Sequence, residues 1–531
     1  MEPILLYDTT LRDGAQGENI NFSAEEMIKI AQKLDALGIH YIEGGWPGSN
    51  PRDEHFFELA KNIKFQNARL SAFGSTRRPG ITADEDQNLK ALIKSSTPAV
   101  TIFGKTWDLH VKRVMNNTLQ ENIAMIKDSV EFLKKNDREV IYDAEHFFDG
   151  YLANREYALQ TLMAAIDAGA ETVVPCDTNG GTLPYDIEAI MNDVYNILNK
   201  YSGKTNSPPI KIGIHTHNDS GLAVANSIAA VRKGAVMVQG TINGYGERCG
   251  NADLTSIIPI LCVKMNRPCI SEENLAKLKT VSRFVSESAN MTPLNSRPFV
   301  GKSAFAHKGG IHVSAVMKIP RAYEHMNPEL VGNERRVLIS DLAGKSNVEY
   351  KAKELGIELG VNGFDSRKIV SEIKRLEEKG YQFEVADASF KIMMEKFTKQ
   401  FKPLFELQSF RVHIEKEKDR PCSAHATIKI SVDGTEELTA ADGNGPVGAL
   451  DNALRKALEK FYIADMDSMH LVDYKVRVID AWEGTAAKVR VLIESRDEDR
   501  IWSTIGVSED IIEASWQALA DSFQYKLSKG K

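Results

Sequence analysis

Residues 214–221 read IHTHNDSG, and the two histidines stand two apart at the end of an apolar run, Ile210, Ile212 and Ile214. In a strand, alternate side chains share a face, so His215 and His217 point the same way. That is a chelating pair for one metal ion. It is equally a hydrogen-bonded polar patch unless other ligands join it. Asp13, in LYDTTLRDGAQ (6–16), offers a carboxylate, and Asn251, in NGYGERCGN (243–251), a side-chain carbonyl. Together they make a two-nitrogen, two-oxygen set. Water or a bidentate substrate completes an octahedron suited to Mn, Mg, Zn or Co.

These positions converge only if the fold brings them together. From the first residues, short β-branched runs alternate with helical patterns. The expected strands are 4–9, 41–46, 69–74, 99–104, 139–145, 172–178, 211–217 and 236–242. Between the first two lies SAEEMIKIAQKLDALG. Ser23 and Glu26 form a capping-box signature, Met27, Ile30, Ala31, Leu34 and Leu37 repeat at helical spacing, and Gly38 ends the helix. YALQTLMAAIDAG, before the sixth strand, repeats the design. Eight such units in about 265 residues predict a (β/α)8 TIM barrel, with a doubly wound open sheet as the competitor. In a barrel, chemistry collects at the C-terminal strand ends. Six of the eight ends here are polar or glycine-rich, and Asp13, His215, His217 and Asn251 all follow such ends.

The rhythm changes after residue 270. Residues 271–400 read as helical subdomains with charged faces. Residues 401–531 read as a C-terminal α+β domain, with strands SFRVHIE, AHATIKISVDG, YKVRVIDA and AAKVRVLIES and helices PVGALDNALRKALEKFY and DIIEASWQALADSFQYKLSK. The catalytic barrel is 1–270. The chain has 531 residues, 42% hydrophobic and 26% charged, with net charge −7. That balance carries no footprint for nucleic acid. No run of about 18 apolar residues predicts a membrane span. The start lacks a basic, then apolar, signal segment, and five scattered cysteines without a CxxC pair fit a reducing cytoplasm.

LYDTTLRDGAQ, HTHND, NGYGERCGN and FAHKGGIH together resemble the isopropylmalate, homocitrate and citramalate synthases, whose metal-dependent barrel is shared with the 3-hydroxy-3-methylglutaryl-CoA lyases. DGNGPVGALDNAL resembles their regulatory domain. IEGGWPGSNPRDEHFF, DAEHFFDGY and DTNGG are most similar to the bacterial citramalate branch. The resemblance implies a Claisen-type condensation of acetyl-CoA with a 2-oxo acid, followed by thioester hydrolysis. It implies Asp13, His215, His217 and Asn251 as ligands of a divalent metal. Arg12 would stabilise developing negative charge, or else form a structural ion pair. Glu145 would take part in acid/base work near the acetyl group, or else be a solvated loop carboxylate. Asp143 shares its face and lines the substrate site. Thr178 would hold the oxo-acid carboxylate, unless it is a buried threonine bonded to backbone. Gln16 would line the site. In FAHKGGIHVSAV, His312 would move a proton, assisted by Tyr323, while His307 is structural. In this family the 305–323 segment acts in the partner subunit, which implies a homodimer.

The citramalate branch implies pyruvate, on a threonine-independent route to isoleucine, with isoleucine as effector at the C-terminal domain. The other use for that domain is plain dimerisation. Trp46, Pro47, Phe73 and Phe103 stand where they could narrow a pocket to a methyl group, or serve as barrel core. A 2-isopropylmalate or homocitrate synthase, a lyase and a non-catalytic sensor are the rivals. The lyases carry a cysteine in a glycine-rich loop near the metal, and Cys249 falls elsewhere, where it reads as packing.

Overall fold

Ser23 Oγ accepts the Glu26 N–H at 3.2 Å, and Glu26 Oε2 accepts the Ser23 N–H at 2.8 Å, so the capping box closes. The helix Ala24–Leu37 buries Met27, Ile30, Ala31, Leu34 and Leu37, and Gly38 ends it at φ 94°. The same logic repeats around a closed parallel barrel. Its strands are β1 (Leu5–Asp8), β2 (Tyr41–Glu43), β3 (Arg69–Ser75), β4 (Ala99–Lys105), β5 (Glu139–Glu145), β6 (Thr172–Asp177), β7 (Lys211–Thr216) and β8 (Met237–Gly240). β1 closes on β8, with Tyr7 beside Gln239. The computed structural model describes residues 3–205, 210–340, 342–357, 366–397, 400–479, 484, 486–498 and 500–528.

Strand parity sorts the barrel residues into two cores. Leu6, Ile42, Val100, Val140, Val173, Ile212 and Val238 pack against the helices. Leu5, Tyr7, Tyr41, Ala99, Ile141, Val174, Cys176 and Met237 form a separate plug on the inner face. Two residues further along the same faces, the chemistry changes. Glu43, Thr101, Asp143 and Gln239 follow Tyr41, Ala99, Ile141 and Met237, and all four are buried. This polar belt lies between the plug and the strand ends that carry the candidate site.

The chain divides into two compact units, Met1–Phe305 with Met326–Glu334, and Ala306–His325 with Arg335–Lys531. The second contains a helical core around Val348, Ile369, Ile373, Phe390 and Met394. It also contains β9 (Glu406–Glu415), β10 (Ser423–Val432), β11 (Thr435–Gly443), β12 (His470–Val478), β13 (Val489–Arg496) and β14 (Ile501–Ser508). They form two antiparallel sheets, β9-β10-β11 and β12-β13-β14. The helices Pro446–Glu459 and Ile511–Leu527 follow β11 and β14, so a β-β-β-α unit occurs twice. β11 and β14 are not among the four strands expected from the sequence. β11 is rich in Glu and Ala, poor strand formers. β14 buries Trp502, Thr504, Ile505 and Gly506, so its alternation is blurred. Residues 480 and 481 of the expected strand YKVRVIDA, and Lys529 of the last helix, lie outside the described residues. Among the described residues no helix is long and apolar enough to cross a membrane.

Candidate functional site

The loop after β1 is built by its own threonines. Asp8 accepts the Thr10 N–H and hydroxyl, each at 2.9 Å, and Thr10 Oγ1 accepts the Ile242 N–H at 2.8 Å. This ties the first strand's loop to the last strand's. It also turns Arg12 and Asp13 into the mouth. From the end of β7 come His215 and His217, and Asn251 pairs with His217 in an isolated bridge. His215 Nε2 lies 3.4 Å and His217 Nε2 3.8 Å from Asp13 Oδ2. Asn251 Nδ2 donates to the same oxygen at 2.8 Å. Gly246 lets the last loop close: a Cβ there would sit 2.0 Å from Asn251 Oδ1.

Ligand atoms of Asp13, His215 and His217 all lie within 4.8 Å of one another. Their protonation suits a cation. Burial, reinforced by the neighbouring His215, lowers His217 to about 4, and burial likewise lowers His215, so both imidazoles are neutral at neutral pH. Burial alone would raise Asp13. The Arg12 charge, the two histidines and the Asn251 amide outweigh it and hold the carboxyl well below its usual range. Neutral imidazole and ionised carboxylate are the forms that bind metal. Asn251 Oδ1 and His217 Nδ1 are buried without a hydrogen-bond partner among the described residues. A donor set with a spare carbonyl oxygen fits a divalent cation.

Arg12 is anchored on three sides. Its Nε donates to Glu43 Oε1 at 2.5 Å, its Nη1 lies 3.5 Å from Asp13, and its guanidinium stacks 3.8 Å over Phe73. Glu43 in turn accepts the Tyr7 hydroxyl at 2.6 Å. Burial, then the Glu43 charge beside it, pushes Asp143 well above the usual carboxylate range. Asp143 accepts from Gln239 Nε2 at 2.8 Å, and Gln239 Oε1 lies 2.8 Å from His215 Nδ1. Glu145, two residues along, pairs with Lys105. Thr178 Oγ1 accepts the His146 N–H at 2.9 Å, while its carbonyl accepts from Arg248, which also braces Asp219. Trp46 packs edge-on to Phe73 and Phe103, each at 5.7 Å, and those two stack at 5.5 Å.

Gln16 is exposed, and Pro47 is buried. Cys249 is exposed and does not pack, which overturns that expectation: it lies in a surface turn that the Gly250 N–H closes on the Glu247 carbonyl at 3.0 Å. His312 and Tyr323 lie in the second unit, where their rings stack at 4.3 Å. His307 is buried there against Glu324 at 3.1 Å. Sequence reasoning assigned no role to Glu43, Lys105, Gln239 or Arg248. The available signal was a polar residue at an inward position of a buried strand, as in VMVQGTI.

Residues 3–285 match the HMGL-like family. The chain belongs to the HMGL-like family. Beyond its HMGL-like segment, residues 299–381 match a homocitrate synthase post-HMGL domain and 384–527 the LeuA allosteric (dimerisation) domain. The chain is 54% identical to an (R)-citramalate synthase of Geobacter sulfurreducens, across 100% of this chain and 99% of that protein. It is 54% identical to the (R)-citramalate synthase of Aquifex aeolicus, across 99% and 98%. It is 32% identical to a 2-isopropylmalate synthase of Methanocaldococcus jannaschii, across 99% and 95%. The HMGL-like segment contains all eight barrel strands and every candidate ligand.

Proposed function

We infer that the chain carries (R)-citramalate synthase activity, condensing acetyl-CoA with pyruvate and water to citramalate and CoA. One observation carries this reading: 54% identity along the whole chain to (R)-citramalate synthases, against 32% to a 2-isopropylmalate synthase. Asp13, His215, His217 and the Asn251 carbonyl would hold a divalent cation, Mn, Mg, Zn or Co. When bound, the cation supplies Lewis-acid polarisation of a ketone oxygen.

The chain's own groups do the rest. Arg12, fixed by Glu43 and Phe73, offers positive charge to the oxygen that becomes anionic. The Thr178 hydroxyl already accepts from backbone, so its proton is free to donate to the oxo-acid carboxylate. Glu145, beside Lys105, moves the proton of the acetyl methyl. The Trp46, Phe73 and Phe103 rings, packed beside Arg12 through Phe73, would narrow the pocket toward a methyl group; one methylene changes discrimination by only about 1–3 kcal/mol. Asp143, whose carboxyl burial pushes up, accepts from Gln239 and supports the site from below, and Gln16 lines its rim. His312, stacked on Tyr323, moves a proton at the acetyl group or at the hydrolytic water from a partner subunit, in a homodimer. Isoleucine is the proposed effector at the C-terminal domain. The enzyme acts in the cytoplasm.

The test is to strip metal, add acetyl-CoA with a panel of 2-oxo acids, restore Mn²⁺ or Mg²⁺, and follow free CoA thiol. Release with pyruvate, lost without metal, is the expected result. Preference for 2-oxoisovalerate or 2-oxoglutarate would move the chain to a sister synthase. No release with any acid would overturn the reading.

A further inference from the structure

One buried polar chain at the barrel mouth links three strands: His215, Gln239 and Asp143, on β7, β8 and β5. A neutral imidazole has one proton for two nitrogens. Two acceptors compete for it in His215. Gln239 Oε1 lies 2.8 Å from Nδ1, and Asp13 Oδ2 lies 3.4 Å from Nε2. Asp13 Oδ2 already accepts from Asn251 at 2.8 Å. A proton on Nε2 would remove the lone pair that faces Asp13. A glutamine can present either its oxygen or its nitrogen. Asp143 Oδ1, at 2.8 Å from the other end, takes the amide N–H and so turns the oxygen toward His215. His217 has no such arrangement: its Nδ1 has no partner among the described residues.

We propose that Gln239, oriented by Asp143, is a positioning residue that fixes the tautomer of His215, with the proton on Nδ1 and the Nε2 lone pair turned toward Asp13. The proposal rests on the reading of Asp13, His215 and His217 as cation ligands. A ligand histidine whose far nitrogen is held in this way needs no rearrangement when the cation arrives. Losing such an outer partner typically costs 10- to 100-fold in metal affinity. Gln239 is fully buried, so its two hydrogen bonds cannot be replaced by bulk water.

The test uses the full chain, metal-free and labelled with ¹⁵N-histidine. Long-range ¹H–¹⁵N correlation reads the His215 tautomer, assigned by its loss in His215→Gln. Mn²⁺ affinity is read separately from the electron paramagnetic resonance of free Mn²⁺. The wild type is expected to show Nδ1–H. Gln239→Leu, of similar volume, is expected to move the proton to Nε2 and weaken Mn²⁺ binding about 10- to 100-fold. Gln239→Glu, with one proton shared between its carboxyl and Asp143, still accepts from Nδ1 and is expected to keep the tautomer, which a merely structural role would not require. An Nε2–H wild type, or a Gln239→Leu variant with unchanged tautomer and affinity, overturns the proposal. If Asp13→Ala binds Mn²⁺ as well as wild type, the ligand assignment falls instead, and the tautomer signal still decides the role of Gln239.

Discussion

Arg12 shows how one residue becomes usable. A guanidinium is always charged, and burying it without partners is prohibitive. Here Glu43 meets it at 2.5 Å with no solvent exposure of its own, and Phe73 covers its face. The side chain therefore arrives at the barrel mouth in one position, held between Glu43, Asp13 and Phe73. Breaking a buried pair by removing one partner typically costs about 3–5 kcal/mol. Glu43→Leu is accordingly expected to lower the barrel's unfolding midpoint in urea and to depress kcat/KM, with Glu43→Gln milder on both. An unchanged midpoint would mean that Asp13, 3.5 Å away, satisfies Arg12 by itself.

At the scale of elements, the seam between β1 and β8 carries a titratable latch. Asp8 bonds Thr10, and Thr10 bonds the backbone of Ile242 beyond β8. Burial raises Asp8 from its ordinary 3.8 to about 7, although the Thr10 hydrogen bonds pull it back. The folded state thus holds this proton more tightly than the unfolded chain. The group costs nothing below about pH 4, and its charged form destabilises the fold increasingly as pH rises through the interval to about 7, by an amount on the order of 4 kcal/mol. Asp8→Asn keeps an acceptor for Thr10 and cannot ionise. Its stability relative to wild type is expected to improve between pH 4 and pH 8, read as the difference in urea midpoints. A constant difference across that range would place the Asp8 titration elsewhere.

At the scale of the molecule, the doubled β-β-β-α unit leaves apolar residues uncovered. Ile414 on β9 and Val476 and Val478 on β12 are 41% to 51% exposed. Such side chains on sheet surfaces suit a second copy of the chain, in keeping with the match to a dimerisation domain. If the 305–323 segment works in the partner's site, two dead variants should rescue each other. Asp13→Ala mixed with His312→Ala, after unfolding and refolding together, is expected to regain about a quarter of wild-type activity, since random pairing makes half the dimers mixed and each has one intact site. No recovery, with mixed dimers present on a mass spectrum, would place His312 in its own subunit's site.

The sequence by itself determined the local elements. Period and caps were sufficient for the helix Ala24–Leu37 and for all eight barrel strands, because helix starts and strand parity are written in neighbouring residues. Parity and strand order set Asp13, His215, His217 and Asn251 at strand ends that a barrel gathers whatever their spacing along the chain, and the family resemblance singled them out as one cluster. The tertiary structure decided what each side chain does there. Glu43, Gln239 and Lys105 find their partners on other strands or their loops, 31, 96 and 40 residues away for Arg12, Asp143 and Glu145. Asp143 and Glu145 share a strand face, yet one is sealed beside Glu43, where burial pushes its carboxyl well above the usual range, and the other meets a lysine. β11 and β14 likewise owe their strand form to neighbours across the sheet rather than to their own composition. Protonation state, tautomer and exposure depend on which distant groups share a buried volume, and only the folded chain sets that volume.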